Sequence, residues 1–324
     1  MRTFRSFAAL PQDAFTSATA VAIGKFDGLH LGHRKIITEL INTARQRDYE
    51  PCVFTFTDNP LATLAPEKCP RALASTEQRI ELLAKAGVSA TLMVDFTREL
   101  ARLEPAEFVY RVLLQGMNAR EILVGHDFKF GKNGSGDVQL LRELGQQHGF
   151  AVRVLSDIEI DGERVSSTRI RELLERADVT GAAKLLGRTQ SVRGLVVHGA
   201  ARGRTLGFPT ANMQPKYAGL APADGVYAGY ATVAGETYAA AISIGGNPTF
   251  TPDAPSQIEV HLLDFSGNIY GELMTLQFVA HLRMMTAYRG IDALVAQISE
   301  DVVNTRRIIA PILDGLADQP QAAK

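Results

Sequence analysis

The feature that most constrains the fold of this 324-residue chain is a change of rhythm near Gly187. Before it, short apolar runs alternate with amphipathic helical ones; after it, apolar runs follow one another between clusters of glycine, proline and asparagine. The first pattern predicts a doubly wound α/β parallel sheet, with helices on both faces. The second predicts an antiparallel β-barrel or sandwich. Two cores account for the length better than one, and the boundary is expected near Arg188, giving domains 1–187 and 188–324.

In the first half the strand candidates are 20–24, 52–56, 91–96, 121–125 and 151–155. Between them Ile36, Ile37, Leu40, Ile41 and Ala44 recur at helical spacing, as do Ile80, Leu83 and Ala84, then Phe108, Val112 and Leu113, then Leu140, Leu141 and Leu144. Ser75 with Gln78 three residues on is a capping-box start. Asp161-Gly162 is a two-residue hairpin signal, and two short helices are expected from Ser166 to about Leu186. The last run, 290–313, returns to helical periodicity and should pack across the barrel, while the tail from Asp318 has nothing to bury and should fray.

Composition narrows the classes. With 34 basic and 35 acidic residues the net charge is −1, so no bulk field exists to hold nucleic acid or an anionic membrane. Neither a signal-peptide core nor an apolar run of roughly 18 residues is found, which predicts a cytoplasmic protein. Cys52 and Cys69 supply neither a disulfide framework nor a CxxC metal pair.

The run GKFDGLHLGH, residues 24–33, follows the first strong strand candidate and precedes a helix. In an open parallel sheet, ligands sit beyond the carboxyl ends of the strands, where loops meet helix N-termini. Gly24 and Gly28 permit close backbone approach or positive φ, and the N-terminus of the helix expected to start near Gly32 attracts anions. His30 and His33 are three apart and share a helix face if the first turn begins there. A polar surface turn accounts for the spacing equally well. A zinc site lacks ligands, because catalytic zinc needs three protein donors and no HExxH or nearby cysteine is present.

This stretch resembles the G-x-F-D-x-x-H-x-G-H signature of the HxGH nucleotidyltransferases, and the chain as a whole is similar to the bacterial bifunctional riboflavin kinase/FAD synthetases, over about residues 15–315. The resemblance implies a Rossmann-like nucleotidyltransferase fold for the first half. It assigns His30 and His33 to stabilising charge on the ATP phosphates, with Gly24, Phe26, Asp27 and Gly32 lining that site. The run VSSTRIRELL, residues 165–174, looks like the S-S-T-x-I-R motif: Ser167 and Thr168 would bind phosphate and Arg169 would clamp it. Without the first motif, a Ser/Thr cap with surface arginines would serve as well. VGHDFKFGKNGSGD, residues 124–137, is similar to the flavin-side loop, where Asp127, Phe128 and Phe130 would meet substrate. Asn59, also assigned to the flavin side, stands where the family carries a histidine, and an amide donates a hydrogen bond but carries no charge.

RGRTLGFPTANM, residues 202–213, matches the riboflavin kinase signature and is the most specific string in the chain. The match makes Thr210 and Asn212 oxygen ligands of Mg²⁺, and Gly203, Arg204, Gly207 and Asn247 nucleotide contacts. Glu259 alternates with apolar Val260 and Leu262 and reads by itself as a solvent-face residue; the resemblance makes it the general base. Gly246 and the run 284–288 depart from the family pattern. A kinase must polarise an alcohol, whereas the phosphate of FMN is already a nucleophilic anion. A carboxylate in the second half and imidazoles in the first fit that asymmetry.

What the resemblance implies is riboflavin plus ATP giving FMN and ADP in the second half, then FMN plus ATP giving FAD and pyrophosphate in the first, with Mg²⁺ in both. No nucleic-acid or membrane partner is expected, and a homo-oligomer is compatible with the sequence. The alternatives are a flavin-binding or regulatory protein with one degenerate site, and a nucleotidyltransferase for another phosphorylated acceptor. The latter would leave RGRTLGFPTANM without a task.

Overall fold

Alternate residues of the central strands carry the first half of the fold. In the computed structural model, which describes residues 1–199, 203, 206–246 and 256–317, Ala20 and Ala22 face one side of a sheet and Val21 and Ile23 the other. On the first side lie Ile37, Leu40 and Ala44 of helix α1 (Leu31–Arg47) and Leu83 of α3 (Thr76–Lys85). On the second lie Phe108, Val112, Leu113, Leu141 and Leu144. Both faces are buried, as a parallel sheet requires.

The strands are β1 (Arg2–Phe4), β2 (Thr19–Ile23), β3 (Glu50–Phe56), β4 (Ala90–Val94), β5 (Ala119–Gly125) and β6 (Ala151–Leu155). Short α2 (Leu61–Leu64) follows β3, and α5 (Val138–His148) precedes β6. All pairings are parallel, in the order β1-β4-β3-β2-β5-β6. The chain steps outward from β2 through β3 and β4, then returns to β2's other side with β5. That reversal opens a crevice beyond the carboxyl ends of β2 and β5, where such folds bind ligands.

Two local details differ from expectation. β1 adds an edge strand, held by pairing with β4 and by Arg2, which donates to the Ala14 carbonyl at 2.7 Å and pairs with Glu50. The run bearing Phe108, Val112 and Leu113 is a short α4 (Pro105–Phe108) that continues as π-helix over Val109–Gly116. The Ser75/Gln78 capping box is present. The Asp161-Gly162 turn joins β7 (Glu159–Ile160) to β8 (Glu163–Arg164), with φ of 57° and 77° at its two residues, as a primed turn demands.

By internal contacts the chain divides into two compact units, Met1–Ser167 and Thr168–Lys324. The second contains most of α6 (Ser167–Glu175), α7 (Val179–Leu186) and, among the described residues, a closed six-stranded antiparallel barrel. Its strands are β9 (Gln190–Val197), β10 (Ala211–Met213), β11 (Gly225–Val233), β12 (Glu236–Gly245), β13 (Gln257–Leu262) and β14 (Leu273–Arg283), in the order β10-β13-β12-β11-β14-β9. Tyr227, Ile242, Val260, Leu276 and Phe278 are fully buried in it. Helix α8 (Ile291–Ala317) packs on β11, β12 and β14. Buried Asp301 anchors it, accepting from the Arg283 guanidinium at 2.7 Å. The expectation of a frayed tail falls on residues outside those described.

Candidate functional site

The loop after β2 turns on residues in left-handed backbone. Phe26 (φ 48°), Gly28 (φ 72°) and Leu29 (φ 41°) all adopt it, and only the glycine does so without strain. Each such non-glycine residue costs of order 1–3 kcal/mol and persists only where its surroundings hold it. Here Phe26 and Leu29 are buried beside α1. Asp27 accepts from the Leu73 N–H at 2.9 Å, and its carbonyl accepts from the Ser167 hydroxyl at 3.1 Å. The second contact ties Ser167 to this loop.

The tight turn brings the histidines together. His30 caps α1, its Nδ1 accepting from the His33 N–H at 3.4 Å, and the two rings stack with centroids 3.7 Å apart and planes 17° from parallel. The edge of Phe26 meets His33 at 5.3 Å. A Cβ on Gly32 would stand 3.1 Å from the His30 ring, and one on Gly24 3.3 Å from the Phe26 ring, so both glycines make room for these aromatic groups.

Burial first, and the neighbouring His30 second, hold the His33 imidazole well below its ordinary value of 6.5. Its Nδ1 is sealed from solvent and meets no hydrogen-bond partner. At neutral pH His33 is therefore an uncharged ring whose chemistry is to donate a hydrogen bond. The pair offers polar N–H groups at a helix N-terminus, which suits an anion.

The loop after β5 lines the other side of the crevice. Asp127 pairs with Arg164 at 2.7 Å, and Arg164 also reaches Asp157 at 2.9 Å. Burial raises the Asp127 carboxyl, but the Arg164 hydrogen bond and charge, with His126, outweigh it and leave the group below the usual carboxylate range. Phe128 and Phe130 stack at 5.3 Å. Phe130 is buried in the core, whereas Phe128 is only half-buried. Gly136 permits this, since a Cβ there would meet the Phe130 ring at 2.8 Å. Asn59 uses its side-chain oxygen to accept from the Leu61 N–H at 3.1 Å, which starts α2. In the first turn of α6, Thr168 is exposed and Arg169 half-buried.

In the barrel, strand register assembles the site. Asn212 on β10 stands directly opposite Glu259 on β13, and Ser243 on β12 stands opposite Glu259 on its other side. Directly opposed residues of antiparallel strands share a face, so an amide, a carboxylate and a hydroxyl form one row across three strands. Glu259 is half-buried between buried Ile258 and Val260, and Asn212 is buried. Gly199 lies against Asn212 so closely that a Cβ would stand 2.2 Å from its Nδ2. Gly203 approaches the Phe208 carbonyl as tightly, its own carbonyl accepting from the Phe208 N–H at 2.8 Å, and Gly207 takes φ +85°. Half-buried Thr210 follows directly. Arg204 and Asn247 lie outside the described residues.

An FAD synthetase family model matches residues 12–169, and a riboflavin kinase model matches 186–309. A bifunctional riboflavin kinase/FMN adenylyltransferase of Pseudomonas fluorescens is 37% identical over 289 residues, covering 89% of this chain and 92% of the relative. The chain belongs to this bifunctional family. The Listeria monocytogenes enzyme of the same name is 34% identical over 97% of this chain and its own full length, and that of Escherichia coli K12 is 34% identical over 88% and 91%. A crystal structure named as a macrolide-efflux protein of Streptococcus pneumoniae superposes with a TM-score of 0.85 at 32% identity, covering 94% of this chain and 98% of that one. Among the described residues no helix is long and apolar enough to cross a membrane.

Sequence reasoning about this family member missed two residues on which the sites lean. Arg79 reads as the polar face of α3, yet it is buried and turned under the β2 loop. Ser243 sits in an apolar run and acquires its place only through register with Glu259. Neither carries a local signal.

Proposed function

We propose that the barrel unit transfers the γ-phosphoryl group of ATP to the terminal ribityl hydroxyl of riboflavin, and that the sheet unit transfers the adenylyl group of a second ATP to the resulting FMN, releasing pyrophosphate. The observation that carries the kinase assignment is the opposition of Asn212 and Glu259 across β10 and β13. It sets an amide beside the one acid of the row, so a hydroxyl held there has a base for its proton and, in the amide NH₂, a phosphate-binding group next to it. Glu259 takes the proton of the attacking hydroxyl. Gly203, Arg204, Gly207 and Asn247 bind nucleotide.

Thr210 and Asn212 would hold Mg²⁺ together with the ATP phosphates, where the ion neutralises phosphate charge when bound. The donor set fits: both offer neutral oxygens, and among the described residues no group of three or more His, Cys, Asp and Glu forms a cage that would take a metal without substrate.

In the sheet unit His30 and His33 donate hydrogen bonds to the ATP phosphates at the α1 N-terminus, beside Gly24, Phe26, Asp27 and Gly32. Ser167, whose hydroxyl already meets the Asp27 carbonyl, contributes to the same phosphates. Asp127, fixed as a carboxylate by Arg164, and half-buried Phe128 receive the flavin with Asn59, and Phe130 backs Phe128 from the core. No general base is required, because the FMN phosphate is already anionic. We place the functional boundary at 187/188, close to residue 186 where the riboflavin kinase match begins, and the site of action in the cytoplasm.

Incubating the full chain with riboflavin, Mg²⁺ and ATP tests the proposal. FMN should appear first and FAD after it, with ADP and pyrophosphate as co-products. FAD formation from added FMN with no conversion of riboflavin, or the reverse, would overturn one half of the assignment.

A further inference from the structure

Arg79 belongs to α3 and to no motif of the two reactions in sequence, yet it is 6% exposed and its guanidinium is spent on main-chain oxygens of two loops and on the Thr76 hydroxyl. Nη1 donates to the Lys25 carbonyl at 3.1 Å and to the Phe56 carbonyl at 2.8 Å; Nη2 donates to the Thr57 carbonyl and to the Thr76 hydroxyl. The Lys25 carbonyl immediately precedes left-handed Phe26, and it takes a second bond from the Thr55 hydroxyl at 3.2 Å. Phe56 and Thr57 close β3 and lead into Asn59. The same helix region holds the far side of the phosphate loop, since Asp27 accepts from Leu73 N–H. Asp27, Asp58 and Glu77 lie near enough to offset part of the cost of burying this charge, but its direct hydrogen bonds go to carbonyls, and that fixes backbone position.

We infer that Arg79 is a positioning residue for adenylyl transfer: it locks the carboxyl ends of β2 and β3 into one frame, and so fixes the histidine loop relative to Asn59. This rests on the adenylyltransferase reading above. The planar fork of an arginine spans several acceptors that the compact ammonium of a lysine does not. Keeping the charge while removing the fork therefore isolates the positioning role.

The test is Arg79→Lys in the full chain, with adenylylation of added FMN and phosphorylation of riboflavin measured on the same sample. Adenylylation kcat should fall roughly tenfold to a hundredfold, the scale of a misplacement near 1 Å, while the KM for FMN moves little and kinase turnover stays within about twofold of the parent. Unchanged adenylylation kcat with a lowered melting temperature would overturn the inference and leave Arg79 a stabilising residue only. Should the lysine variant fail to fold, Thr55→Val removes the second donor to the Lys25 carbonyl. A several-fold loss of adenylylation kcat then supports the inference, and an unchanged value overturns it. A parent chain that makes no FAD would instead refute the adenylyltransferase reading, so the two failures are distinct.

Discussion

The phosphate loop of the sheet unit and the acid row of the barrel unit are built in opposite ways. The first is local: ten consecutive residues, 24–33, carry the glycines, the strained turn, the cap and both rings. The second is dispersed: Asn212, Ser243 and Glu259 come from three strands and meet only through ladder pairing. A local site holds its shape by backbone strain that neighbouring groups must restrain. A dispersed site borrows its shape from the sheet and needs no strain. On the proposed reading the charges differ accordingly, with uncharged imidazole for a nucleophile that is already an anion and a carboxylate for one that must lose a proton.

The sharpest way to break the comparison is to remove one active group from each region. Glu259→Ala should reduce FMN formation from riboflavin by roughly 10²–10⁴-fold and leave adenylylation of added FMN intact. His33→Ala should reduce FAD formation by roughly 10²–10³-fold while FMN accumulates. Chromatographic quantitation of both products decides it. Loss of both activities from either change would show that the two regions do not work independently.

A smaller effect sharpens the contrast between strain and register. Gly199→Ala places a methyl group where the Asn212 amide now lies, 2.2 Å from its Nδ2. The barrel ladder has no reason to shift, so the cost should fall on Asn212 itself. A rise of about tenfold in the KM for Mg·ATP in the kinase reaction is expected, with an unchanged melting temperature; a wild-type KM would remove Asn212 from nucleotide binding.

The smallest expected effect concerns pH. Because the folded chain holds His33 below its ordinary 6.5, the unfolded chain takes up that proton first as pH falls. The stability contributed by the neutral ring is complete above about pH 6.5 and is lost as pH falls through the lower folded value. Denaturant midpoints measured downward from neutral pH should fall, and His33→Gln should flatten that decline. An identical slope in the variant would mean that the ring is not the titrating group.

Much of this was readable beforehand where information is short-range. The Ser75/Gln78 box, the Asp161-Gly162 turn and the helix opening beside His30 each depend on residues within a few positions of one another. What escaped depends on distant partners. Three residues cannot show a period, so β1 and β10 were invisible until β4, β9 and β13 paired with them. Strand order, which brings the β2 and β5 loops to one crevice, is a property of the whole sheet. Arg79 looks like any solvated helix charge until the carbonyls beneath it are known.

The pairing of Asn212 with Glu259 also behaves as a reading frame. Side chains alternate faces along a strand, so one residue gained or lost in β13 ahead of Glu259 would turn its carboxylate into the greasy interior and bring Gln257 or Ile258 out of phase with β10. A pair of residues would restore the parity while displacing the partner by one ladder step. On the proposed kinase reading, a length change in the turns between strands leaves the row intact, whereas an odd one within β10, β12 or β13 breaks it.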